Sequence, residues 1–272
     1  MALLQRHLSG FKTSSSNGQH YQPRGLTSLR PSLRLPRSTR CQAAPDYEFD
    51  PDNASVLVAG GGGVALNVTR RLKNMGSWVW QLQRTDARRQ EIEGMMAIVA
   101  KGDALKPEEL QKVMDGIEEL DAVVCSLGGS TKDPQVDSQG NINMIQAAMK
   151  KGVKKFVFVT SLGCGSSKNS ISEQVYKVLE PVLLEKNKAE EVLMAQDKMA
   201  YVIIRPGGLT NDPASGNGVL TESTSTAGSI SRDDVAALVV KALLSKKADG
   251  KVLAAVDKAK LFGTPSFEVL QL

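Results

Sequence analysis

Histidine is nearly absent from this sequence of 272 residues, and both copies, His7 and His20, lie within the first 45 residues. The rest of the chain has no imidazole for acid–base work, which excludes Ser-His-Asp and Cys-His catalysis there. Three cysteines, Cys41, Cys125 and Cys164, are too few for a disulfide framework and form no CxxC pair or metal-binding cluster. We interpret Cys125 and Cys164 as small buried thiols, with a redox pair as the alternative.

Acidic residues are missing from residues 1–45, which carry seven serines and seven basic residues. Subtracting these seven from the 34 basic residues leaves 27 basic against 29 acidic residues, a net charge of −2. An Arg- and Ser-rich segment without acids and without an apolar h-region is typical of an organellar transit peptide. We predict a disordered transit peptide over 1–45 and a chloroplast location, in the stroma, with the mitochondrion as the alternative. A basic arm that binds an acidic partner is the other interpretation.

Long apolar runs are also missing, since none approaches the ~20 residues of a membrane span. We therefore predict no transmembrane segment, while peripheral association with a membrane stays open. Aromatic residues make up only 4% of the chain, and the sequence after the leader is close to neutral. We accordingly predict no nucleic-acid partner.

From Ser55 onward, short β-branched segments alternate with segments of helical periodicity. This alternation predicts an α/β fold, a doubly wound parallel sheet of the Rossmann type with helices on both faces. We predict one such domain over residues 54–256 and a C-terminal tail over 257–272. The long helical segment at 172–196 is expected to break at Pro181.

Four glycines follow the first strand in the run VLVAGGGGVAL. Two registers fit: the GxGxxA fingerprint from Gly60 to Ala65, and a GxxGxxG variant in which Leu66 replaces the last glycine. In either register a strand precedes the glycines and a helix begins on them, which suits a pyrophosphate at the helix N-terminus. The predicted phosphate-binding residues are Gly60, Gly62, Gly63 and Val64.

Arg84 ends the second strand, where an NAD-selective site usually has an acidic residue. An arginine there can pair with a 2′-phosphate through charge-assisted hydrogen bonds and stack on adenine. The sequence therefore favours NADPH over NADH. The alternative is a solvated arginine at a helix start, and the nearby Asp86 is a competing partner.

Seven motifs occur in order along the chain: VLVAGGGG, QRT, KGD, VVCSLGG, VTSLG, KNKAEE and RPGGL. Together they resemble the atypical short-chain dehydrogenases/reductases, in their NmrA-like and plastid NAD(P)H-binding branch, over roughly residues 54–256. The resemblance implies that Asp103 approaches the adenine. It also implies that Ser126, Leu127 and Gly128 line the central part of the nucleotide.

The same resemblance places the catalytic machinery. Ser161 falls where the family has its catalytic serine, and Lys186 falls where a lysine holds the nicotinamide ribose. The segment that would close around the nicotinamide end consists of Arg205, Pro206 and Gly207.

One departure from the family pattern concerns proton transfer. The catalytic tyrosine of these enzymes stands four residues before the lysine, and here that position is Val182, which cannot transfer a proton. Tyr176 is a candidate substitute, with a half-buried packing role as the alternative, and Lys188 is a further candidate donor.

Two functions follow from these observations. The first is an NADPH-dependent reductase of a small substrate, with a non-standard proton donor: Lys186, Tyr176 or water. The second is a non-catalytic module in which NADPH binding changes affinity for a plastid protein partner. Val182 favours the second, whereas Ser161 and Lys186 favour the first.

Overall fold

The computed structural model of the protein describes residues 49–129 and 134–272. The predicted transit peptide lies outside the described residues. Within them, the strands are β1 (Ser55–Ala59), β2 (Trp78–Gln83), β3 (Ile98–Lys101), β4 (Ala122–Cys125), β5 (Lys155–Val159), β6 (Ala200–Pro206), β7 (Gly208–Thr210), β8 (Gly218–Thr221), β9 (Ser229–Ser231) and β10 (Lys251–Asp257). The α-helices are α1 (Gly63–Asn74), α2 (Arg89–Gly94), α3 (Pro107–Asp115), α4 (Asn141–Lys151), α5 (Glu173–Ala195) and α6 (Arg232–Leu244).

Eight of these strands form one sheet in the order β3-β2-β1-β4-β5-β6-β10-β8. Every neighbouring pair is parallel except β10 with β8, which is antiparallel. The chain order reverses between β1 and β4, and in doubly wound sheets this switch point opens the crevice that binds ligands. The predicted α/β Rossmann fold is confirmed.

The central strands are buried on both faces, as β1 illustrates. Val56 and Val58 face a core cluster that includes residues of α1 and α6, whereas Leu57 and Ala59 face a second cluster with residues of α3, α4 and α5. All four side chains are fully buried. A strand covered on both faces is uniformly apolar rather than alternating, which explains the sequence of β1.

Helix α5 runs without interruption through Pro181, so the predicted break at this residue is wrong. Proline removes one hydrogen-bond donor to the carbonyl four residues earlier, that of Lys177. Both residues are exposed, so the carbonyl that proline leaves without an intrahelical donor is open to solvent.

Helix α6 begins at a capping box formed by Ser231 and Asp234. The Ser231 hydroxyl accepts a hydrogen bond from the Asp234 amide at 3.0 Å and donates one to the Asp234 carboxylate at 2.8 Å. Asp233, directly before Asp234, pairs with Arg71 of α1 at 2.6 Å. This pair ties the start of α6 to the helix that follows the glycine run.

The C-terminal residues return to the sheet after β10. The amide of Phe262 donates to the carbonyl of Ala227 at 2.9 Å, and that of Leu270 donates to Leu220 in the edge strand β8 at 2.8 Å. Phe267 and Val269 pack against a small cluster that contains Val256. No helix within residues 49–129 and 134–272 combines the length and apolar character needed to cross a membrane.

Candidate active site

The glycine run makes a turn that only glycine fits at its first position. Gly60 has φ of +142°, and a Cβ there would stand 2.6 Å from the Ser126 hydroxyl and 3.3 Å from the Ala65 Cβ. The close approach of Ala65 favours the register in which alanine takes the last small position of the fingerprint. Leu66 is buried in the core instead, so no glycine is needed at its place.

The backbone amides in the first turn of helix α1 are not capped by a side chain. The N-cap is Gly62, and no acidic residue lies in that turn. A Cβ on Gly62 would meet no atom within 4 Å, so the backbone faces open space there. Free amide donors and the positive end of the helix dipole make this end of α1 suited to a phosphate group.

Two buried glutamines hold the glycine turn, and motif reading did not single them out. The side-chain amides of Gln81 and Gln83 donate to the Gly60 carbonyl at 3.0 and 2.9 Å. Gln81 also accepts a hydrogen bond from Thr69 of α1 at 2.9 Å. The sequence contains a signal for them: Gln81 and Gln83 alternate with apolar residues at the end of β2, and residues two positions apart in a strand share one face.

Arg84 follows β2 and is exposed. Its potential competitor, Asp86, is already engaged by Arg89 at 3.0 Å and by Lys101 at 2.7 Å. Hydrogen bonds from Lys101 and then Arg89 lower the pKa of the Asp86 carboxyl, which keeps it ionised and paired. Arg88 is paired with Glu91 at 2.8 Å, and among the described residues no carboxylate pairs with Arg84.

These residues surround a cleft of about 390 Å³ at the carboxyl ends of β1, β2, β3 and β4, which we call the nucleotide cleft. The sequence-predicted residues that line it are Gly60, Arg84, Asp103, Leu127 and Gly128. The Asp103 carboxylate accepts a hydrogen bond from the Leu105 amide at 3.0 Å. Ser126, at the end of β4, packs against Gly60 from behind.

Lys186 lies behind the loop that follows β4. Its ammonium is 2.8 Å from the buried Asp137 carboxylate and donates to the Leu127 carbonyl at 3.1 Å. The other Asp137 oxygen accepts from the Gly129 amide at 2.9 Å. A Cβ on Gly128 would approach both partners, at 3.4 Å from Asp137 and 3.6 Å from Lys186. Asp137, which motif reading did not predict, therefore fixes both the lysine and the loop.

Ser161, Pro206 and Gly207 lie together in a cavity other than the nucleotide cleft. They line a pocket of about 570 Å³ beyond the ends of β5 and β6, which we call the apolar pocket. The Ser161 hydroxyl donates to the Leu162 carbonyl at 2.9 Å. Because β5 and β6 follow β4 in the sheet, the pocket opens on the same sheet edge as the nucleotide cleft.

The Arg205 side chain does not line either cavity. Its guanidinium is buried and binds both carboxylate oxygens of Glu190, at 3.1 and 2.6 Å. Thr160 donates to the same carboxylate at 2.6 Å, and the third Arg205 nitrogen, Nη1, donates to Ser166 at 2.9 Å. Bidentate pairing of this kind fixes the guanidinium, so the geometry favours a structural role beneath the pocket.

Val182 and Lys186 lie one turn apart on the continuous helix α5, the spacing that the tyrosine and lysine of the resembled family have. Tyr176 is ten residues before Lys186, about 15 Å along the helix axis. Its ring is buried in a cluster with Cys164 and Leu183, and the Lys168 ammonium lies 4.4 Å from the ring centroid. This environment favours the packing role for Tyr176.

The two described cysteines are free and buried. Burial raises the pKa of the Cys125 thiol to about 12, and burial likewise raises that of Cys164 to about 12. Cys125 donates to the Asn141 side chain at 3.1 Å, whereas Cys164 belongs to the Tyr176 cluster. These separate environments favour two inert thiols. Within the described residues no cluster of His, Cys, Asp and Glu could hold a metal ion.

Arg232 is a cation near the glycine run that the sequence did not reveal as a site residue. It is the first residue of α6, and a Cβ on Gly63 would stand 2.9 Å from its Cδ. One guanidinium nitrogen donates to the Asn211 side chain at 2.7 Å, and no carboxylate of the described chain pairs with it. Arg232 lies between Ser231 and Asp234 of the capping box but takes no part in that motif, so the motif does not indicate a role for it.

The residues of the cleft fit a dinucleotide. Gly60 leaves no room for a side chain, the first turn of α1 is uncapped, and Arg84 has no carboxylate partner in the described chain. The fold and this site define a Rossmann-type dinucleotide-binding protein. A family model described as NAD(P)H-binding matches residues 60–246, more than half of the chain, and the protein belongs to that family. The sequence-based resemblance to NAD(P)H-binding Rossmann proteins is thus confirmed.

Curated relatives come from plants, bacteria and yeast. An uncharacterised chloroplastic protein of Arabidopsis thaliana is 37% identical over 164 residues, covering 57% of this chain and 58% of that protein. An uncharacterised sugar epimerase of Bacillus subtilis is 34% identical over 166 residues, covering 59% of this chain and 72% of that protein. The photosystem II assembly factor Ycf39 of Synechocystis is 31% identical over 155 residues, covering 56% of this chain and 44% of that protein.

The first and third of these matches cover less than two thirds of the relative's length, so neither protein's activity follows from the match. Among solved structures, an anaerobilin reductase of Escherichia coli O157:H7 aligns with a TM-score of 0.69 and 23% identity. The alignment covers 78% of this chain and all of that one, and it shows the shared fold. A plastid location is supported by the chloroplastic relative.

Proposed function

We propose that the protein is an NADPH-dependent reductase of a small substrate in the chloroplast stroma. The observation that carries this proposal is the arrangement of two cavities at one sheet edge. The nucleotide cleft contains Gly60 and Arg84, and the apolar pocket contains Ser161 and Gly207. A dinucleotide bound across the switch point would extend from the first cavity to the second.

The cofactor would be held by four groups of residues. The amides at the start of α1 would bind the pyrophosphate, with Arg232 as its nearby cation. Arg84 would pair with the 2′-phosphate, and Asp103 would approach the adenine. Lys186, kept in place by Asp137, would hold the nicotinamide ribose. When bound, NADPH supplies a hydride, two electrons with a proton, to a carbon of the substrate.

The substrate oxygen must take up one further proton to complete the reduction. Val182 offers none, and the Tyr176 ring lies in a cluster outside the pocket lining. The Lys186 ammonium is committed to Asp137 and Leu127. We therefore assign proton delivery to water, with the Ser161 hydroxyl as the group that orients the substrate oxygen.

Cofactor choice is tested by calorimetry of the full chain with NADPH and NADH. We expect tighter binding of NADPH, and Arg84→Ala should weaken NADPH far more than NADH because only NADPH carries the 2′-phosphate. Arg88→Ala is the matched control, since Arg88 is exposed and already paired with Glu91. Equal losses for both cofactors in Arg84→Ala would remove this residue from the 2′-phosphate role.

The alternative is a non-catalytic module that binds NADPH and a protein partner. Val182 in place of a tyrosine favours it, as does the similarity to the Synechocystis relative, a photosystem II assembly factor. NADPH oxidation with a panel of quinones, aldehydes and enones separates the two functions. Tight NADPH binding without oxidation of any of them would exclude the reductase. Gain of carbonyl reduction in Val182→Tyr would show that the missing tyrosine limits the chemistry.

A further inference from the structure

We propose that the apolar pocket binds an uncharged, lipophilic carbonyl compound and discriminates against carboxylates and phosphates. This inference rests on the proposed reductase function, because it concerns the substrate end of the same site. Its basis is the chemistry of the pocket wall, the engagement of the nearby cations and the small number of free polar groups.

None of the described residues that line the pocket carries a charge. Its deeper wall is aliphatic, with Leu162, Ile171 and Leu179, and its rim carries the exposed side chains of Leu209 and Phe262. Leu209 is 40% exposed and Phe262 is 66% exposed, so both present apolar surface at the entrance. A cavity of this size and character suits a small organic molecule that is mostly apolar.

Two cations near the pocket are already paired with carboxylates. Arg205, below the pocket, is bound by Glu190 at 2.6 Å, and Lys260, whose carbonyl packs on Gly228 of the pocket wall, is bound by Asp212 at 2.8 Å. The Lys168 ammonium faces the Tyr176 ring. Because no cation is among the described residues that line the pocket, an anionic substrate would lose its hydration without gaining a counter-ion there, which disfavours its binding.

Backbone donors along the pocket are also used internally. The amide of Gly208 donates to Gly228 at 3.0 Å, and that of Leu162 donates to Pro206 at 2.9 Å. A Cβ on Gly207 would stand 2.2 Å from the Gly228 carbonyl oxygen, so this part of the wall is tightly packed backbone. These amides cannot bind a carboxylate or phosphate without breaking the wall.

Two of the three hydroxyl groups that line the pocket can donate to a polar substrate atom. Ser170 donates to the Ser167 carbonyl, whereas Ser172, the N-cap of α5, accepts from the Val175 amide and keeps its own hydrogen for a further bond. Ser161 bonds only to the carbonyl of its neighbour Leu162, and its hydroxyl can rotate towards a ligand. The pocket thus matches a molecule with one carbonyl at Ser161 and an apolar remainder towards Leu209 and Phe262.

This chemistry separates the protein from enzymes that act on sugar nucleotides. A nucleoside diphosphate sugar brings two phosphates and several hydroxyls, which require cations or many hydrogen bonds. The apolar pocket offers neither among its described lining residues. We therefore expect UDP-glucose to bind no better than free UDP.

Binding is measured on the full chain loaded with NADP⁺, which cannot reduce the ligand. Displacement of the neutral dye Nile red by methyl 4-formylbenzoate is compared with displacement by 4-formylbenzoate, which differs by one negative charge. We expect the neutral ester to bind at least about tenfold more tightly. Equal binding, or tighter binding of the acid, would overturn the proposal.

The rim residue Leu209 provides the variant and Leu184 its matched control. Leu184 is 50% exposed on α5 and lies outside the pocket lining. Leu209→Glu should weaken the ester about tenfold or more, whereas Leu184→Glu should leave its affinity unchanged. Similar affinities in both variants would overturn the proposal. If Leu209→Glu does not fold, Phe262→Glu makes the same test at a more exposed position.

The outcomes also separate this proposal from the reductase function. Binding of the ester without any NADPH oxidation would support the proposed selectivity of the pocket and exclude reductase activity on this substrate class. Reduction of 4-formylbenzoate in preference to its ester would keep the reductase and overturn the pocket's selectivity.

Discussion

The nucleotide cleft and the apolar pocket share one edge of the sheet but are built from different kinds of structure. The cleft is formed by the ends of parallel strands and by bare backbone, with Gly60 held between Ser126 and two glutamines. The pocket is closed by the short strands β7 and β9 and by C-terminal residues such as Phe262. The proposed cofactor site is thus formed by the turns that follow parallel strands, whereas the proposed substrate site is formed mainly by the irregular segments between later elements.

Each of the two regions has a buried ion pair beside it, and the two pairs connect different elements of the fold. Lys186 and Asp137 join α5 to the loop that closes the nucleotide cleft. Arg205 and Glu190 join β6 to α5 beneath the apolar pocket and reach no cavity. The Lys186–Asp137 pair contacts the loop of the proposed cofactor site, whereas the Arg205–Glu190 pair holds together the strand and helix beneath the pocket.

The largest expected effect breaks the pair beneath the pocket. Glu190→Gln leaves the Arg205 guanidinium buried without its counter-ion, and loss of one partner of a buried pair costs about 3–5 kcal/mol. Glu91→Gln removes an exposed partner of Arg88, and such pairs contribute about 0–1 kcal/mol. Urea denaturation measures both. A stable Glu190→Gln protein with weakened NADPH binding would instead place Arg205 in the cofactor site.

A smaller effect is expected from the cleft, where the affinity for NADPH should change more than the stability of the fold. Gly62→Ala adds a methyl group that meets no protein atom within 4 Å but stands where the fingerprint requires bare backbone near the pyrophosphate. Loss of one hydrogen bond to a charged group, about 1.5–3 kcal/mol, corresponds to roughly 10–150-fold weaker NADPH binding.

The control for this change is Gly94→Ala, at the end of α2, where a Cβ also meets no atom. Calorimetry should show unchanged NADPH affinity for Gly94→Ala, and thermal melting should show that both variants stay folded at the temperature of the binding measurement. Unchanged affinity in Gly62→Ala would contradict the proposed register of the phosphate site.

The cation missed by sequence reading gives the next test. Arg232→Gln should weaken NADPH about tenfold but leave adenosine 2′-monophosphate unaffected, because only NADPH carries a pyrophosphate. Arg71→Gln is the matched control, since Arg71 also joins α1 to α6 but through Asp233. If both variants lose the same affinity in calorimetry, docking of α6 and not the charge of Arg232 explains the result.

The sequence predicts these regions unequally, for physical reasons. The glycine turn and the main strands follow from local patterns, because apolar β-branched runs and glycines constrain the backbone where they stand. The Lys186–Asp137 contact joins residues 49 positions apart, and no local pattern encodes such a pair. The apolar pocket depends on how the segment around Leu209 meets Phe262, which tertiary packing decides. Pro181 misled the prediction because its exposed position lets water replace the lost hydrogen bond.

The smallest expected effect concerns the two described thiols, one beside the cleft and one beside the pocket. Because burial raises the pKa of Cys125 and of Cys164 to about 12, both stay protonated in the folded protein at pH 8. Iodoacetamide should therefore label neither residue before unfolding and both in urea, as mass spectrometry of peptides reports.

The same shifts fix the sign of a pH dependence. Below the ordinary thiol pKa of 9.0, folded and unfolded chains are both protonated and stability is unaffected by the thiols. As pH rises from about 9 towards 12, the unfolded chain loses these protons first, and the free energy of unfolding falls. Urea titrations of the wild type should show this decline, and Cys125→Ala with Cys164→Ala should reduce its slope. Rapid labelling of either thiol at pH 8 would contradict the burial of that thiol and would restore a redox role beside the corresponding cavity.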